Sequence, residues 1–139
     1  MNRWSLVALP VLAIGVVAFA KPATHAAPPA THRVRMVQQG AKYLFNPANF
    51  TINSGDIVEF VNVSGGPHNV AFDKDKIPAG ARDVLNKAMP QRQGDLMGPF
   101  LTQANQVYSI SFTGAPKGTY SYYCLPHRAL GMVGVITVE

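Results

Sequence analysis

The sequence has few charged residues and a single cysteine. Charged residues make up 14% of the 139 positions and hydrophobic residues 47%, which argues against disorder and for one well-packed domain. With Cys124 as the only cysteine, no intrachain disulfide can form. The formal net charge is +5, yet lysines and arginines are scattered singly, without the runs typical of nucleic-acid binding. We therefore expect no nucleic-acid partner, and we interpret the charge as steering towards an acidic partner or surface.

The first 20 residues have the pattern of a secretory signal peptide. Arg3 precedes an uncharged run from Leu6 to Phe19, and small residues flank a cleavage point after Ala20. The run is shorter than the ~20 residues that span a bilayer, and Pro10 interrupts it, so cleavage is favoured over a membrane anchor. We expect an exported protein, in which a lone thiol needs burial or occupation to escape oxidation.

Residues 21–32 are rich in alanine, proline and threonine and have no apolar periodicity, which is typical of a flexible linker. His25 and His32 fall in this segment, so we interpret both as solvated residues rather than metal ligands. The folded domain is predicted to cover residues 33–139, with no second domain and no repeat.

From Arg33 onwards, the hydrophobic pattern has a period of two and is interrupted by turn-forming residues. The pattern favours an antiparallel Greek-key β-sandwich of about eight strands, with a short helix at 81–88. The predicted strands are Arg33–Gln38, Tyr43–Phe45, Phe50–Ile52, Asp56–Asn62, His68–Phe72, Val107–Phe112, Thr119–Cys124 and Val133–Val138. Alternation places Cys124 on one face with Tyr120 and Tyr122, which we expect to be the buried face.

A thiol, an imidazole and a thioether follow one another closely after the predicted strand that ends at Cys124. Cys124, His127 and Met132 lie within nine residues. A soft thiolate, two imidazoles and a weak axial thioether form the ligand set of blue-copper sites. Zinc is the competing metal, but a methionine in the fourth position suits it poorly. We therefore predict one copper ion.

The second imidazole is assigned by counting, because His68 is the one other histidine in the predicted domain. Asn69, its neighbour, is expected to hydrogen-bond to the Cys124 region and so to orient the ligands. Each residue also has an ordinary interpretation, since lone cysteines and methionines often fill cores and histidines are often satisfied polar residues. The spacing of the set favours ligation over coincidence.

The chain from Tyr43 to Glu139 resembles the plastocyanins, within the cupredoxin fold. The resemblance is carried by Phe45–Pro47, Phe50–Asp56, Pro67–Asp73, Ile77–Gly80 and Gly118–Gly134. It implies one-electron shuttling between Cu(I) and Cu(II), in a periplasm or thylakoid lumen, for a cytochrome or a membrane electron-transfer complex. It also implies a monomer that docks briefly, near a membrane where the partner is membrane-bound.

The same resemblance implies that electrons leave through a partly exposed His127. The residues around it would form a small apolar patch: Gly65, Gly66, Pro67, Leu125, Pro126, Ala129 and Leu130. Tyr123, beside Cys124, resembles a residue of a second docking area. The acidic patch of plant plastocyanins is missing, because charges alternate in sign from Asp73 to Lys76. With Arg128 beside the exit histidine, this departure favours an acidic or neutral partner over a basic one.

Two other functions stay open at this point. The ligand set also suits a carrier that delivers copper without electron transfer. A copper enzyme is less favoured, because a catalytic copper needs more histidines than the two in the predicted domain. The segment from Gly94 to Gln106 matches the family poorly and carries no interpretation.

Overall fold

Side chains alternate between buried and exposed along most strands, and this period of two builds a pair of four-stranded sheets. The computed structural model describes residues 27–139. The strands are β1 (Thr31–Gln39), β2 (Lys42–Asn46), β3 (Asn49–Ile52), β4 (Ile57–Asn62), β5 (Ala71–Phe72), β6 (Val107–Ser111), β7 (Gly118–Tyr123) and β8 (Val133–Val138). One helix, α1 (Ala81–Ala88), and a 3₁₀ turn, Arg128–Leu130, complete the described elements. The predicted sandwich of about eight strands with a helix at 81–88 is confirmed.

Both sheets are mixed, in the orders β2-β1-β4-β6 and β3-β8-β7-β5. Four strand pairs are antiparallel, whereas β1 runs parallel to β4 and β3 runs parallel to β8. The antiparallel pairing expected throughout therefore holds for part of each sheet. The parallel pairs arise because the chain crosses between sheets, with β3 in the second sheet before β4 returns beside β1.

The core between the two sheets is rich in aromatic rings, and several of them pack around Tyr122 of β7. Tyr122 lies 4.7 Å from Phe45 and 5.6 Å from Phe60, measured between ring centroids. Tyr120 and Tyr122 are fully buried, as is Cys124 directly after the strand. The predicted buried face of this strand is thus confirmed. Cys124, directly after the strand, lies in the interior of the protein.

The first strand begins earlier than the sequence indicates. His32, which the composition assigns to the linker, lies within β1 and hydrogen-bonds through Nε2 to Oδ2 of Asp56 at 2.8 Å. The predicted signal peptide and the first half of the predicted linker lie outside the described residues. Among the residues that the structure describes, no helix is long and apolar enough to cross a membrane.

The carboxylate of Asp56 ties this first strand to the turn before β4. It accepts hydrogen bonds from the backbone N–H groups of Asn53 and Ala30, both at 2.9 Å, besides that from His32. These bonds, with that of Asn53 the largest effect, lower the pKa of Asp56 from 3.8 to about 2. The charged form is therefore favoured by folding.

We expect Asp56→Asn to lower the free energy of unfolding at neutral pH and to have little effect in strong acid. Because the folded-state pKa is depressed, the charged carboxylate stabilises the fold at pH values above the ordinary pKa of 3.8. This contribution is lost as the pH falls towards the folded-state pKa of about 2. Denaturant unfolding of both proteins between pH 7 and pH 2 measures the difference. A difference that stays constant over this range would contradict the account.

Candidate metal centre

Three ligand-type side chains converge at the end of the sandwich where β7 stops. One ligand atom from each of His68, Cys124 and His127 lies within 4.8 Å of the others, and all three residues are buried. Sγ of Cys124 is 3.6 Å from Nδ1 of His68 and 3.4 Å from Nδ1 of His127. The structure thus brings together three of the four residues that the sequence predicts as ligands, with each imidazole presenting Nδ1 to the sulfur.

The loop between β7 and β8 is closed by its own backbone hydrogen bonds. The N–H of Cys124 donates to the carbonyl of Met132 at 3.1 Å, and the N–H of Met132 donates to the carbonyl of His127 at 3.2 Å. Gly131 adopts a φ of 85°, a left-handed conformation that glycine accepts at little cost. Met132 is fully buried beneath this loop. The predicted fourth ligand therefore has its backbone tied to two of the other three.

His68 lies in the loop between β4 and β5, and a hydrogen bond sets its tautomer. Nε2 of His68 lies 2.9 Å from the carbonyl oxygen of Ser64. A carbonyl only accepts, so Nε2 carries the proton and donates it, which leaves the lone pair on Nδ1. Nδ1 is the atom that faces Cys124. The imidazole is therefore oriented so that its Nδ1 and the Cys124 sulfur could bind the same cation.

The segment left without interpretation, Gly94 to Gln106, holds the His68 backbone in place. His68 and Leu101 exchange backbone hydrogen bonds of 3.1 and 2.7 Å. Buried Asn62 donates from Nδ2 to the carbonyls of Leu101 and Gln103, both at 3.0 Å. The predicted strand His68–Phe72 is correspondingly wrong in extent, because β5 covers only Ala71–Phe72 and His68 pairs with this segment instead.

Asn69 links the two ligand loops, as predicted. Its Oδ1 accepts a hydrogen bond from the N–H of Leu125 at 2.7 Å. The N–H of His127 donates to the carbonyl of Cys124 at 3.2 Å, and the backbone N–H groups of Asn69 and His127 act to lower the pKa of the Cys124 thiol. Hydrogen bonds to the sulfur tune a thiolate site, and the Oδ1 bond keeps the two loops in register.

Burial controls the protonation of the three donors. It raises the pKa of the Cys124 thiol, against the N–H groups of Asn69 and His127, which act in the other direction. It lowers the pKa of His68, and it lowers the pKa of His127, where the nearby His68 adds to the effect. Two neutral imidazoles and one thiol of this kind bind a soft cation in exchange for the thiol proton.

The chemistry of the donor set fits copper. A sulfur and two imidazole nitrogens within 4.8 Å, with a buried methionine in the same loop, suit a cation that accepts both soft and borderline donors. A closed zinc site would need a fourth Cys, His or carboxylate. Among the described residues, no carboxylate belongs to this cluster.

Tyr43 also contacts the cluster, and sequence reasoning missed its role. Its ring lies flat against His127, with centroids 3.8 Å apart and planes 7° from parallel. Tyr43 lies on β2, far from the ligand loops in sequence. Only 9% of the His127 surface is exposed, and the Tyr43 ring covers one face of this imidazole. No spacing rule in the sequence points to such a contact.

The surface over His127 is apolar and open. Leu125 is 45% exposed and Leu130 is 58% exposed, and the neighbouring Gly66, Pro67, Pro126 and Ala129 are exposed as well. Arg128 stands at the edge of this apolar patch. The residues that the family resemblance implies around His127 are therefore mostly exposed, as a contact surface requires.

The comparisons with known proteins agree with this site. The family described as copper binding proteins, plastocyanin/azurin family, matches residues 32–139. This chain belongs to that family, and its cofactor is copper, one ion of the type 1 kind. It is 44% identical to plastocyanin from Solanum crispum over 95 residues, which cover 68% of this chain and 87% of that protein.

A cyanobacterial relative and a solved structure extend the comparison. The chain is 40% identical to plastocyanin from Synechococcus sp. (strain JA-2-3B'a(2-13)) over 113 residues, covering 78% of this chain and 74% of that protein. Its fold is similar to that of the oxidized plastocyanin from Dryopteris crassirhizoma, with a TM-score of 0.58 and 29% identity, covering 77% of this chain and 99% of that one. The cupredoxin fold is thereby confirmed.

We expect Tyr43→Ala to speed the loss of copper to a chelator about 2- to 10-fold, whereas Tyr43→Phe keeps the slow rate. A stacked aromatic pair contributes roughly 0.5–1.5 kcal/mol beyond burial, and the alanine variant loses this contact and uncovers His127. The rate is followed by the decay of the copper absorption in excess chelator. Equal rates for the alanine and phenylalanine variants would show that the stack does not hold His127.

Proposed function

We propose that this chain is a one-electron carrier in which His68, Cys124, His127 and Met132 bind a single copper. The observation that carries the proposal is the convergence of three buried donor atoms within 4.8 Å on loops that are hydrogen-bonded to each other. Bound copper would supply the change between Cu(I) and Cu(II). No bond of a substrate has to be made or broken, so the function is that of a carrier rather than an enzyme.

The protein's own contribution is to keep the donors still. Electron transfer is fast when the ligands barely move between oxidation states, and here each ligand loop is bound to a neighbour. Ser64 fixes the His68 ring, Leu101 fixes its backbone, and Asn69 joins both loops. The sandwich would therefore act as a clamp that holds the donor atoms in one arrangement while the bound copper changes its oxidation state.

His127 is the proposed exit for the electron. Its exposed fraction, 9%, is the largest of the four proposed ligands, and the exposed Leu125 and Leu130 lie next to it in the same loop. An apolar patch of this size suits brief docking, since redox encounters use small interfaces. The partners would be a donor and an acceptor redox protein, such as a cytochrome or a membrane electron-transfer complex. The carrier would act as an exported monomer in a periplasm or thylakoid lumen, consistent with the apolar run after Arg3.

A second function, delivery of copper to another protein, uses the same ligands. It requires ready release of the ion, which the buried His68 and Cys124 and the stacked His127 oppose. A catalytic copper centre would need further histidines. The described part of the chain offers His32 alone beyond the two in the cluster, and His32 is bound to Asp56.

Voltammetry and metal transfer distinguish the two functions. The copper-loaded protein is expected to give a reversible one-electron wave, to exchange electrons rapidly between its Cu(I) and Cu(II) forms, and to keep its copper when mixed with a copper-free acceptor protein. An irreversible wave together with rapid transfer of the ion would favour delivery and contradict electron carriage.

A further inference from the structure

Asn62 is a buried amide at the end of β4, where the chain enters the loop that carries His68. Only 2% of its surface is exposed. A buried amide is costly unless its hydrogen-bonding groups find partners. Nδ2 has two hydrogens, and it donates to the carbonyls of Leu101 and Gln103, both at 3.0 Å. Two contacts therefore fix the orientation of this side chain.

The backbone of Asn62 binds the same segment as its side chain. Its N–H donates to the carbonyl of Gln106 at 2.9 Å, and its carbonyl accepts from the N–H of Asn105 at 2.7 Å. Residues 102–106 are exposed and contain no helix or strand. Asn62 thus makes four hydrogen bonds to a segment with no regular structure of its own, so the path of that segment depends on this one buried residue.

The carbonyl oxygen of Leu101 is shared between the Asn62 amide and the His68 backbone. It accepts from Nδ2 of Asn62 at 3.0 Å and from the N–H of His68 at 3.1 Å. A carbonyl oxygen has two lone pairs and can accept both. The N–H of Leu101 in turn donates to the carbonyl of His68 at 2.7 Å. A displacement of Leu101 would therefore move the backbone of the predicted ligand.

The amide also lies directly beneath the loop, at Gly66. A Cβ at Gly66 would lie 2.9 Å from Nδ2 of Asn62 and 3.3 Å from the carbonyl oxygen of Leu101. Only a residue without a Cβ lets the loop approach the amide this closely. Gly66 comes two residues before His68, so Asn62 supports the ligand loop at two points, beneath Gly66 and through Leu101.

We propose that Asn62 is a positioning residue for the copper site, whose amide fixes the backbone from which His68 projects. The proposal rests on the proposed function, because it concerns His68 as a ligand. Ser64 sets the tautomer of the ring, whereas Asn62 sets the place of the ring relative to the rest of the site. Together they keep Nδ1 of His68 at 3.6 Å from Sγ of Cys124.

Three variants separate this role from a general contribution to stability. Asn62→Leu removes both donors while keeping a side chain of similar size. Gly66→Ala keeps the amide but places a methyl group against it, and it changes an exposed residue, so it serves if Asn62→Leu does not fold. Asn86→Leu is the matched control, because Asn86 binds the other end of the segment, through the N–H of Leu96 at 2.9 Å and Oδ1 of Asp95 at 2.8 Å.

The first measurement uses the copper-free protein and follows hydrogen exchange by NMR. We expect Asn62→Leu to speed exchange of the His68 and Leu101 amides roughly 10-fold relative to the amides of β4 and β6, as loss of a local hydrogen bond would. Gly66→Ala should act in the same direction, and Asn86→Leu should leave the ratio unchanged. Equal acceleration of all amides in Asn62→Leu would overturn the proposal, because loss of global stability would then explain it.

The second measurement uses the copper-loaded protein. Mutation of residues that hold a metal ligand costs roughly 10- to 100-fold in metal affinity, and we expect about 10-fold weaker Cu(I) binding for Asn62→Leu. Its reduction potential and Cu(II) paramagnetic resonance should shift, as should those of Gly66→Ala, whereas Asn86→Leu should match the wild type. Unchanged affinity, potential and resonance in Asn62→Leu and Gly66→Ala would overturn the proposal. A wild type without a blue copper site would count against the proposed function instead.

Discussion

Cys124→Ser is expected to abolish the blue colour of the copper-loaded protein altogether. The colour of such a site depends on the bond between Cu(II) and a thiolate sulfur, and serine offers a hard oxygen in its place. Cys124 is fully buried, and no other cysteine exists in the chain to replace it. Visible absorption measured at equal copper content, with the metal quantified separately, gives the result directly.

Met132→Gln is the matched comparison, because it also changes a ligand-type side chain in the same loop. An axial amide oxygen is tolerated in blue-copper sites, so we expect the colour to remain and the reduction potential to shift. Colour retained in the serine variant would refute the assignment of Cys124. Colour lost in both variants at full copper content would mean that Met132 does more than tune the potential.

Gly134→Ala is expected to destabilise the fold by roughly 3 kcal/mol, the largest stability effect we predict for one methyl group. A Cβ at this position of β8 would lie closer than 3.0 Å to the Tyr122 ring and to the carbonyl of Ala48. Tyr122 fills the space that glycine leaves, and its hydroxyl donates to that carbonyl at 2.8 Å. The ring would have to leave its place in the core beside Cys124.

Gly94→Ala provides the control for this variant. The nearest group to its new Cβ is the terminal methyl of Met97 at 3.1 Å, which can move, so we expect a change within about 1 kcal/mol. Denaturant unfolding of the copper-free proteins gives both values. Similar midpoints for Gly134→Ala and the wild type would show that Tyr122 can be displaced at little cost, against the packing described here.

The parts of the site predictable from sequence are those fixed by short-range spacing. Cys124, His127 and Met132 occupy one loop, and alternation along β7 places Cys124 on the buried face with Tyr120 and Tyr122. His68 could be added only because so few histidines were available. For Cys124, His127 and Met132 the relevant physics acts within a few residues, through side-chain chemistry or the period of a strand.

The contacts that the sequence hides join residues far apart in the chain. Tyr43 reaches His127 across 84 positions, from 43 to 127, and His32 meets Asp56 only because β1 lies parallel to β4. The support of His68 by Leu101 lies in a segment with no regular pattern. Sheet pairing determines these contacts, and the sequence does not reveal which strands cross between the sheets.

The most direct measurement of the central claim is to load the domain with Cu(II) and record its visible spectrum together with its electron paramagnetic resonance. Our account predicts one copper per chain, an intense blue absorption and the narrow hyperfine splitting of a thiolate-bound type 1 site. A colourless protein with the splitting of ordinary Cu(II) would contradict it.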